Sequence, residues 1–119
     1  MNTTANADFL AAMEAMQARA DAARRDGLAA LRRLLPIAER EGTLKGRAVA
    51  GALAALHDPA RYRFDLSQLR GLEADLVADV LAVINMDAVA SREAIASHFA
   101  HGDERFACMI GFHGLDAIA

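Results

Sequence analysis

The stretch Leu72-Glu73-Ala74-Asp75-Leu76-Val77-Ala78-Asp79-Val80-Leu81-Ala82-Val83-Ile84-Asn85-Met86 decides the fold of this chain. Its large apolar residues recur at spacings of one, three and four, which gathers them on nearly half of a helix surface at about 100° per residue. These residues are Leu72, Leu76, Val77, Val80, Leu81, Val83 and Ile84. The pattern predicts an amphipathic α-helix over 72–86 that lies at the centre of the core.

The composition around this stretch favours the same class of structure. Alanine is the commonest residue and aromatic residues make up 5% of the chain, so there is little from which to build strands. A length of 119 residues is that of one domain with one modest core. We therefore predict an all-α fold, a compact bundle of about five to seven helices forming a single domain over 1–119.

The sequence also indicates where the protein resides. No run of residues reaches the roughly 20 apolar positions that a membrane-spanning helix needs. The N-terminus lacks the basic and then apolar layout of a signal peptide. Cys108 is the single cysteine, so no disulfide can form within one chain. We expect no membrane association, a cytoplasmic location and no cofactor.

The residues before position 28 predict a long N-terminal helix. Asn6 is a suitable N-cap, and we expect the helix to run to about Arg25 and to weaken at Gly27. One narrow face carries residues at 4-3-4-3-4 spacing, namely Phe9, Met13, Met16, Ala20, Ala23 and Gly27. Such a seam needs a helical partner. We predict that residues 1–26 form an interaction segment beside a core over 28–119, and that the first four seam residues bind a partner or a second copy.

Capping residues, glycines and prolines divide the rest of the chain. A second helix is expected over 28–40 with a kink at Pro36, and a third over 44–57 with Thr43 as its N-cap. Further predictions are an extended piece over Arg61–Phe64, a helical turn over Leu66–Arg70 capped by Asp65, a helix capped by Ser91, and a last helix capped by Asp103 that carries Phe106, Cys108, Met109 and Phe112. We expect Cys108 to be a small core residue.

Charge is distributed unevenly along the chain. Residues 1–63 carry ten Lys or Arg against seven Asp or Glu, and residues 64–119 carry three against nine, so the two halves are +3 and −6. A basic stripe is formed by Arg24, Arg25, Arg32 and Arg33. An acidic stripe that could bind a basic groove of a partner is formed by Asp65, Asp75, Asp79, Met86 and Asp87. A pI near 5.7 makes nucleic acid an unfavourable partner.

No set of residues in the sequence matches the pattern of an active site. His98, His101, Cys108 and His113 are possible zinc ligands, but their spacing matches none of the usual zinc-binding signatures. The carboxylates Asp75 and Asp79 lie on a predicted surface without the burial that acid–base chemistry needs. We expect no metal site and no enzymatic activity, and a small metal-binding protein or enzyme is the third hypothesis.

Part of the chain resembles a known family. From Leu28 to about Asp87 it is similar to an uncharacterised family of small proteobacterial proteins from plasmids and other mobile elements. The similarity rests on Leu34-Leu35, Ile37-Ala38, Val49-Ala50, Phe64-Asp65-Leu66, Leu69, Asp79 and Leu81-Ala82-Val83. The resemblance implies an accessory gene, and small acidic helical proteins of such elements often bind a host protein.

These observations lead to one expected function and one alternative. The first is a non-enzymatic accessory protein that acts by protein–protein binding, such as an inhibitor of a bacterial defence complex of the CRISPR type. The alternative is a homodimeric structural or regulatory module in which the first helix pairs with its copy. Neither the partner nor the contacting surface follows from the sequence.

Overall fold

The computed structural model describes residues 3–90 and 93–118, and every regular element in these ranges is helical. The all-α prediction is therefore confirmed. Four α-helices and two 3₁₀ helices lie in these ranges, within the predicted number. The α-helices are α1 (Thr3–Arg40), α2 (Leu44–His57), α3 (Ala74–Val89) and α4 (Gly102–His113), and the 3₁₀ helices span Leu66–Gly71 and Ile95–His98.

The first helix begins at Thr3 and is continuous through Gly27. The predicted N-cap Asn6 lies inside this helix, so that prediction and the predicted break between two helices at 25–28 are wrong. The glycine has a packing role. A Cβ atom placed there would lie 2.3 Å from the Cβ of Met86 and 3.0 Å from the carbonyl oxygen of Ala82. The absence of a side chain at Gly27 thus lets α1 and α3 approach closely.

Pro36 lies inside α1, which continues to Arg40. Proline has no N–H to donate, so it leaves the carbonyl oxygen of Arg32, four residues earlier, without its usual helical partner. Arg32 is exposed, and water can satisfy that carbonyl group. The half-buried proline is therefore tolerated inside the helix.

Helix α3 packs antiparallel against α1 and forms the central contact of the core. Its buried residues are Leu76, Val80, Val83 and Met86. The predicted helix is confirmed, with bounds two to three residues later. Its buried face is rotated from the predicted one, because Met86 is buried where Gly27 admits it, whereas Leu81 is half exposed.

Local hydrogen bonds begin the next elements where the sequence places them. The backbone N–H of Gly46 donates to Oγ1 of Thr43 (3.1 Å) at the start of α2, and that of Ser67 donates to the carboxylate of Asp65 (2.9 Å). Both predicted N-caps are confirmed. The segment Arg61–Phe64, expected to be extended, forms no strand in the part of the chain that the structure describes.

The C-terminal region closes the core with Ile95, Phe106 and Met109. Helix α4 begins at Gly102, not after Asp103, because His101 adopts a left-handed conformation (φ 55°) and precedes the first turn. Cys108 is exposed, so its expected core position is wrong, and Phe112 is also exposed. The predicted cap Ser91 lies outside the described residues.

One part of α1 extends beyond the rest of the fold. The radius of gyration is 17.1 Å, against about 13.5 Å for a compact chain of this length, and the principal extents are 62 × 28 × 28 Å. Residues 3–22, here called the arm, are exposed except for Ala20 and Ala22, which are half-buried. Residues 23–90 and 93–118 form the body.

Candidate protein-binding surface

The apolar face of α1 has two environments. From Ala23 onward it is covered by the body: Ala23, Gly27, Ala30 and Leu34 are all buried. Before Ala23 the same face continues with the same spacing of apolar residues. We call this part the outer seam; it is formed by Phe9, Met13, Met16 and Ala20. Helix α3 ends at Val89, so its packing on α1 does not extend along the arm.

The three large apolar side chains of the outer seam are all at least half exposed. Phe9 is 64% exposed, Met13 50% and Met16 59%. Leu10, beside Phe9, is 60% exposed and widens the apolar surface. Leu10 lies one position off the 4-3 spacing, so the spacing alone does not predict it, although its place next to Phe9 is a usable signal. Because exposed contiguous apolar surfaces characteristically serve as interaction sites, the outer seam with Leu10 is the candidate binding surface.

A groove marks the point where the arm leaves the body. It has a volume of about 580 Å³ and lies between Met16, Ala20 and Ala23 of α1 and Asn85 and Val89 at the end of α3. The groove is open and largely apolar, and it continues the outer seam to the end of α3. A helix lying on the outer seam would therefore also contact the body.

The basic stripe is largely engaged within the molecule. The guanidinium of Arg33 donates two hydrogen bonds to the carboxylate of Asp79, at 2.7 and 3.1 Å, and these bonds raise the pKa of Arg33. Arg24 donates to the carboxylate of Glu93 at 3.1 Å. Arg25 lies 3.6 Å from the carboxylate of Asp26, and Arg32 is exposed.

Two of these ion pairs join charges from the basic half of the chain to charges from the acidic half. Because α1 belongs to the basic half of the chain and α3 to the acidic half, the antiparallel packing of the two helices brings opposite charges together. A further ion pair between helices joins Glu39 to Arg105 of α4, with bonds of 2.7 and 3.0 Å that raise the pKa of the guanidinium. In this pair the arrangement is reversed, because the acid lies in the basic half of the chain and the base in the acidic half. At Arg24 and Arg33, charges of the basic half are therefore paired with acidic side chains of the other half within the fold.

The acidic stripe does not form one exposed surface. Met86 is buried, so its predicted place on a partner-binding face is wrong. The side chain of Asp79 is 16% exposed and is held by Arg33. Asp65 caps a 3₁₀ helix, where hydrogen bonds from the side chain and backbone of Ser67 lower the pKa of its carboxyl group. Asp75 is exposed and Asp87 is half-buried.

The candidate metal ligands are held by separate partners. His113 is buried, and its Nε2 donates to the carbonyl oxygen of Ala38 at 2.6 Å. His98 lies 3.7 Å from the carboxylate of Glu93, and His101 lies 4.0 Å from that of Glu104. Across residues 3–90 and 93–118, no three His, Cys, Asp or Glu side chains lie together in a way that could hold a metal ion.

None of the helices that the structure describes combines the length and the apolar character needed to cross a bilayer.

Comparison with known proteins identifies a family. A family of unknown function, DUF7673, matches residues 28–114, and the chain belongs to it. The resemblance predicted over 28–87 is thereby confirmed as one to a family of unknown function, and it extends further along the chain. No curated protein and no solved structure matches. The match begins at Leu28, so the family describes most of the body and leaves out the whole arm.

Proposed function

We propose that this member of the family is a non-enzymatic protein that acts by binding another polypeptide, and that the outer seam is its binding surface. The observation that carries the proposal is the change of environment along α1. The face that packs on α3 continues past the end of α3 as Phe9, Met13 and Met16, each at least half exposed. Apolar side chains of this size supply most of the free energy of association when they are buried in an interface.

The shape of the surface favours a helix as the bound element. The outer seam is narrow and follows a 4-3 spacing, which is the pattern that packs against a second helix. Helix α3 already occupies the continuation of this seam in that manner. A flat or globular partner surface would leave much of a single projecting helix uncovered.

The electrostatics of the body support a binding role over a catalytic one. Arg33, Asp65 and Arg105 of the described residues have shifted pKa values, and each of these shifts arises from an ion pair or a helix cap. Catalytic groups characteristically owe such shifts to burial in a cleft. The ion pairs of Arg33 and Arg105 join helices to one another and lie on the body surface.

Site-specific photo-cross-linking in cells tests the proposed function. A benzophenone amino acid in place of Met13 is expected to form a covalent adduct with a polypeptide. The same amino acid in place of Ala11, which lies on the opposite face of the arm, is expected to form none. Equal adducts at both positions, or none at either, would contradict the proposal.

The mass of the adduct identifies the class of partner. Twice the mass of the chain indicates a second copy, and any other mass indicates a different protein. We propose, from the family resemblance alone, that the gene belongs to a mobile element, that the protein acts in the cytoplasm and that a host defence complex is a target. This extension predicts higher plasmid or phage survival in a defence-proficient host that expresses the protein. Unchanged survival would contradict the proposal that a host defence complex is a target.

A further inference from the structure

We infer that the arm binds a second copy of this chain, and that the two arms pair antiparallel with Met13 of one copy facing Met16 of the other. The inference rests on the proposed function, because it assigns a partner to the outer seam. Three features of the described residues support it: the register of the seam, the sizes of its side chains and the end of α3.

The register follows from the spacing of the outer seam. In an antiparallel pair related by a two-fold axis, each residue faces one whose number complements its own to a constant sum. The register that places Met13 opposite Met16 also places Phe9 opposite Ala20. Shifting the pairing by one heptad in one direction places Met16 opposite Asn6, and in the other direction it places Phe9 and Met13 opposite the buried Gly27 and Ala23. This register therefore pairs all four outer-seam residues with one another.

The side chains that meet in this register are complementary in size. The largest seam residue, Phe9, faces the smallest, Ala20 of the second copy, and two methionines face each other at the centre. Alternation of large and small side chains across facing positions is what fills a helix–helix interface without voids. Phe9 also arrives beside the groove of about 580 Å³ at Ala20, which offers space for an aromatic ring.

The arrangement continues a contact that the fold already makes. Helix α3 lies antiparallel on α1, with Met86 packed at Gly27 and Asp79 paired with Arg33. A second arm in the proposed register runs in the direction of α3, and its Asn6 lies level with Ala23, near the end of α3 at Val89. The second copy thus covers the length of seam that α3 leaves open.

The charges of the arm do not oppose this pairing in the apolar layers. Asp8, Glu14, Arg19 and Asp21 lie on the flanks and back of the helix, away from the outer seam. Arg19 lies on the flank of the groove. No charged side chain of the described arm is therefore buried between the two copies.

Light scattering on the purified full-length protein tests the stoichiometry. We expect a mass near twice 12.7 kDa at high concentration, falling towards 12.7 kDa on dilution. The double substitution Met13→Glu/Met16→Glu places four carboxylates in the central layers and is expected to weaken the dimer by more than about 100-fold. Its matched control, Ala11→Glu/Ala18→Glu, adds the same charge to the opposite face and is expected to remain dimeric. Circular dichroism checks that both variants keep a folded body.

Disulfide trapping tests the register. In a Cys108→Ser background, a mixture of the Met13→Cys and Met16→Cys proteins is expected to give a disulfide dimer containing one copy of each. Each variant alone is expected to give little, because identical positions do not face each other. Disulfides within each variant alone would indicate parallel arms and would overturn the inference.

The two proposals fail in different ways. A wild-type mass of one chain at every concentration overturns the second-copy inference. The proposed function survives that result if the cross-link at position 13 carries another protein. If the double substitution Met13→Glu/Met16→Glu leaves a dimer intact, the dimer forms elsewhere and the inference also fails.

Discussion

The two halves of α1 share one helix and one spacing of apolar residues, yet they have opposite surroundings. In the inner half, from Ala23 to Arg40, residues such as Leu31 and Leu34 are completely buried. In the arm, Phe9 and Met16 on the same pattern are more than half exposed. The difference shows that periodicity determines which side of a helix is apolar, whereas the length of the neighbouring helix determines how much of that side is covered.

Hydrogen bonds and ion pairs repeat this contrast. The inner half is joined to distant parts of the chain by Arg24–Glu93, Arg33–Asp79 and Glu39–Arg105. In the arm, the side-chain hydrogen bond that the structure shows is the local one from Gln17 to Asp21, at 2.9 Å. Most of the stability of helices in proteins comes from tertiary packing of an amphipathic face, and the exposed arm of a single copy has little such packing. The arm in a single copy is therefore expected to open independently of the body.

Amide hydrogen exchange on dilute protein should show the largest difference. We expect opening free energies near zero in the arm and values approaching the global stability, about 5–15 kcal/mol, around Leu31 to Leu35. Mass spectrometry of peptides from the two halves measures both. At higher concentration the arm should gain protection if a second copy covers it. Uniform protection of α1 in dilute protein would contradict the expected difference in stability between the arm and the inner half.

Truncation of a leucine in each half should give the next largest difference. Leu34→Ala is expected to lower the free energy of unfolding by about 2–5 kcal/mol, because it leaves a cavity in the core. Leu10→Ala is expected to change it by less than about 0.5 kcal/mol. Urea unfolding followed by circular dichroism, at a concentration where the chain is monomeric, measures both. A similar loss from the two variants would mean that the arm packs on the body.

The close approach of α1 and α3 gives a smaller expected effect. Gly27→Ala should destabilise the fold by about 1–3 kcal/mol, because the new methyl group overlaps Met86. The control is Gly111→Ala on the exposed side of α4, where no atom beyond the chain neighbours and the backbone of the same helix lies within 4 Å of the added carbon. That change is expected to raise the stability by up to about 1 kcal/mol. A neutral Gly27→Ala would show that the two helices can separate at little cost.

The ion pair between the two helices should give the smallest effect. Arg33→Ala and Asp79→Ala are each expected to lower the urea midpoint slightly, and the double variant should lower it by less than the sum of the two. High salt should reduce this coupling because it screens exposed charges. Gln17→Ala in the arm should leave the midpoint unchanged. Additive effects at Arg33 and Asp79 would mean that the two side chains have no interaction energy that stabilises the fold.

Features that depend on neighbouring residues could be predicted from the sequence, and those that depend on distant ones could not. Thr43 and Asp65 cap their helices through bonds to residues two or three positions away. Local pattern indicates a break at Gly27, and this prediction is wrong. The residue that requires a glycine there, Met86, lies far along the chain and contacts it only when the two helices pack. The same distance explains why local pattern places Met86 on the surface.

The same distinction between local and distant contacts applies to the candidate binding surfaces. The outer seam, Phe9, Met13, Met16 and Ala20, could be predicted because one helix defines it. The acidic stripe could not, because Asp79 has Arg33 as its partner across two elements. Cys108 and Phe112 share a helix with the buried Phe106 and Met109, and their exposure depends on which side of α4 meets the core. Local pattern does not distinguish these sides.

The projecting arm also governs how the protein moves in solution. A particle of 62 × 28 × 28 Å rotates more slowly about its short axes than about its long one, and it diffuses more slowly than a sphere of equal mass. A single copy will therefore leave a gel-filtration column earlier than its mass suggests. Elution volume alone would mistake an elongated monomer for a larger species, whereas small-angle scattering would show the long dimension directly.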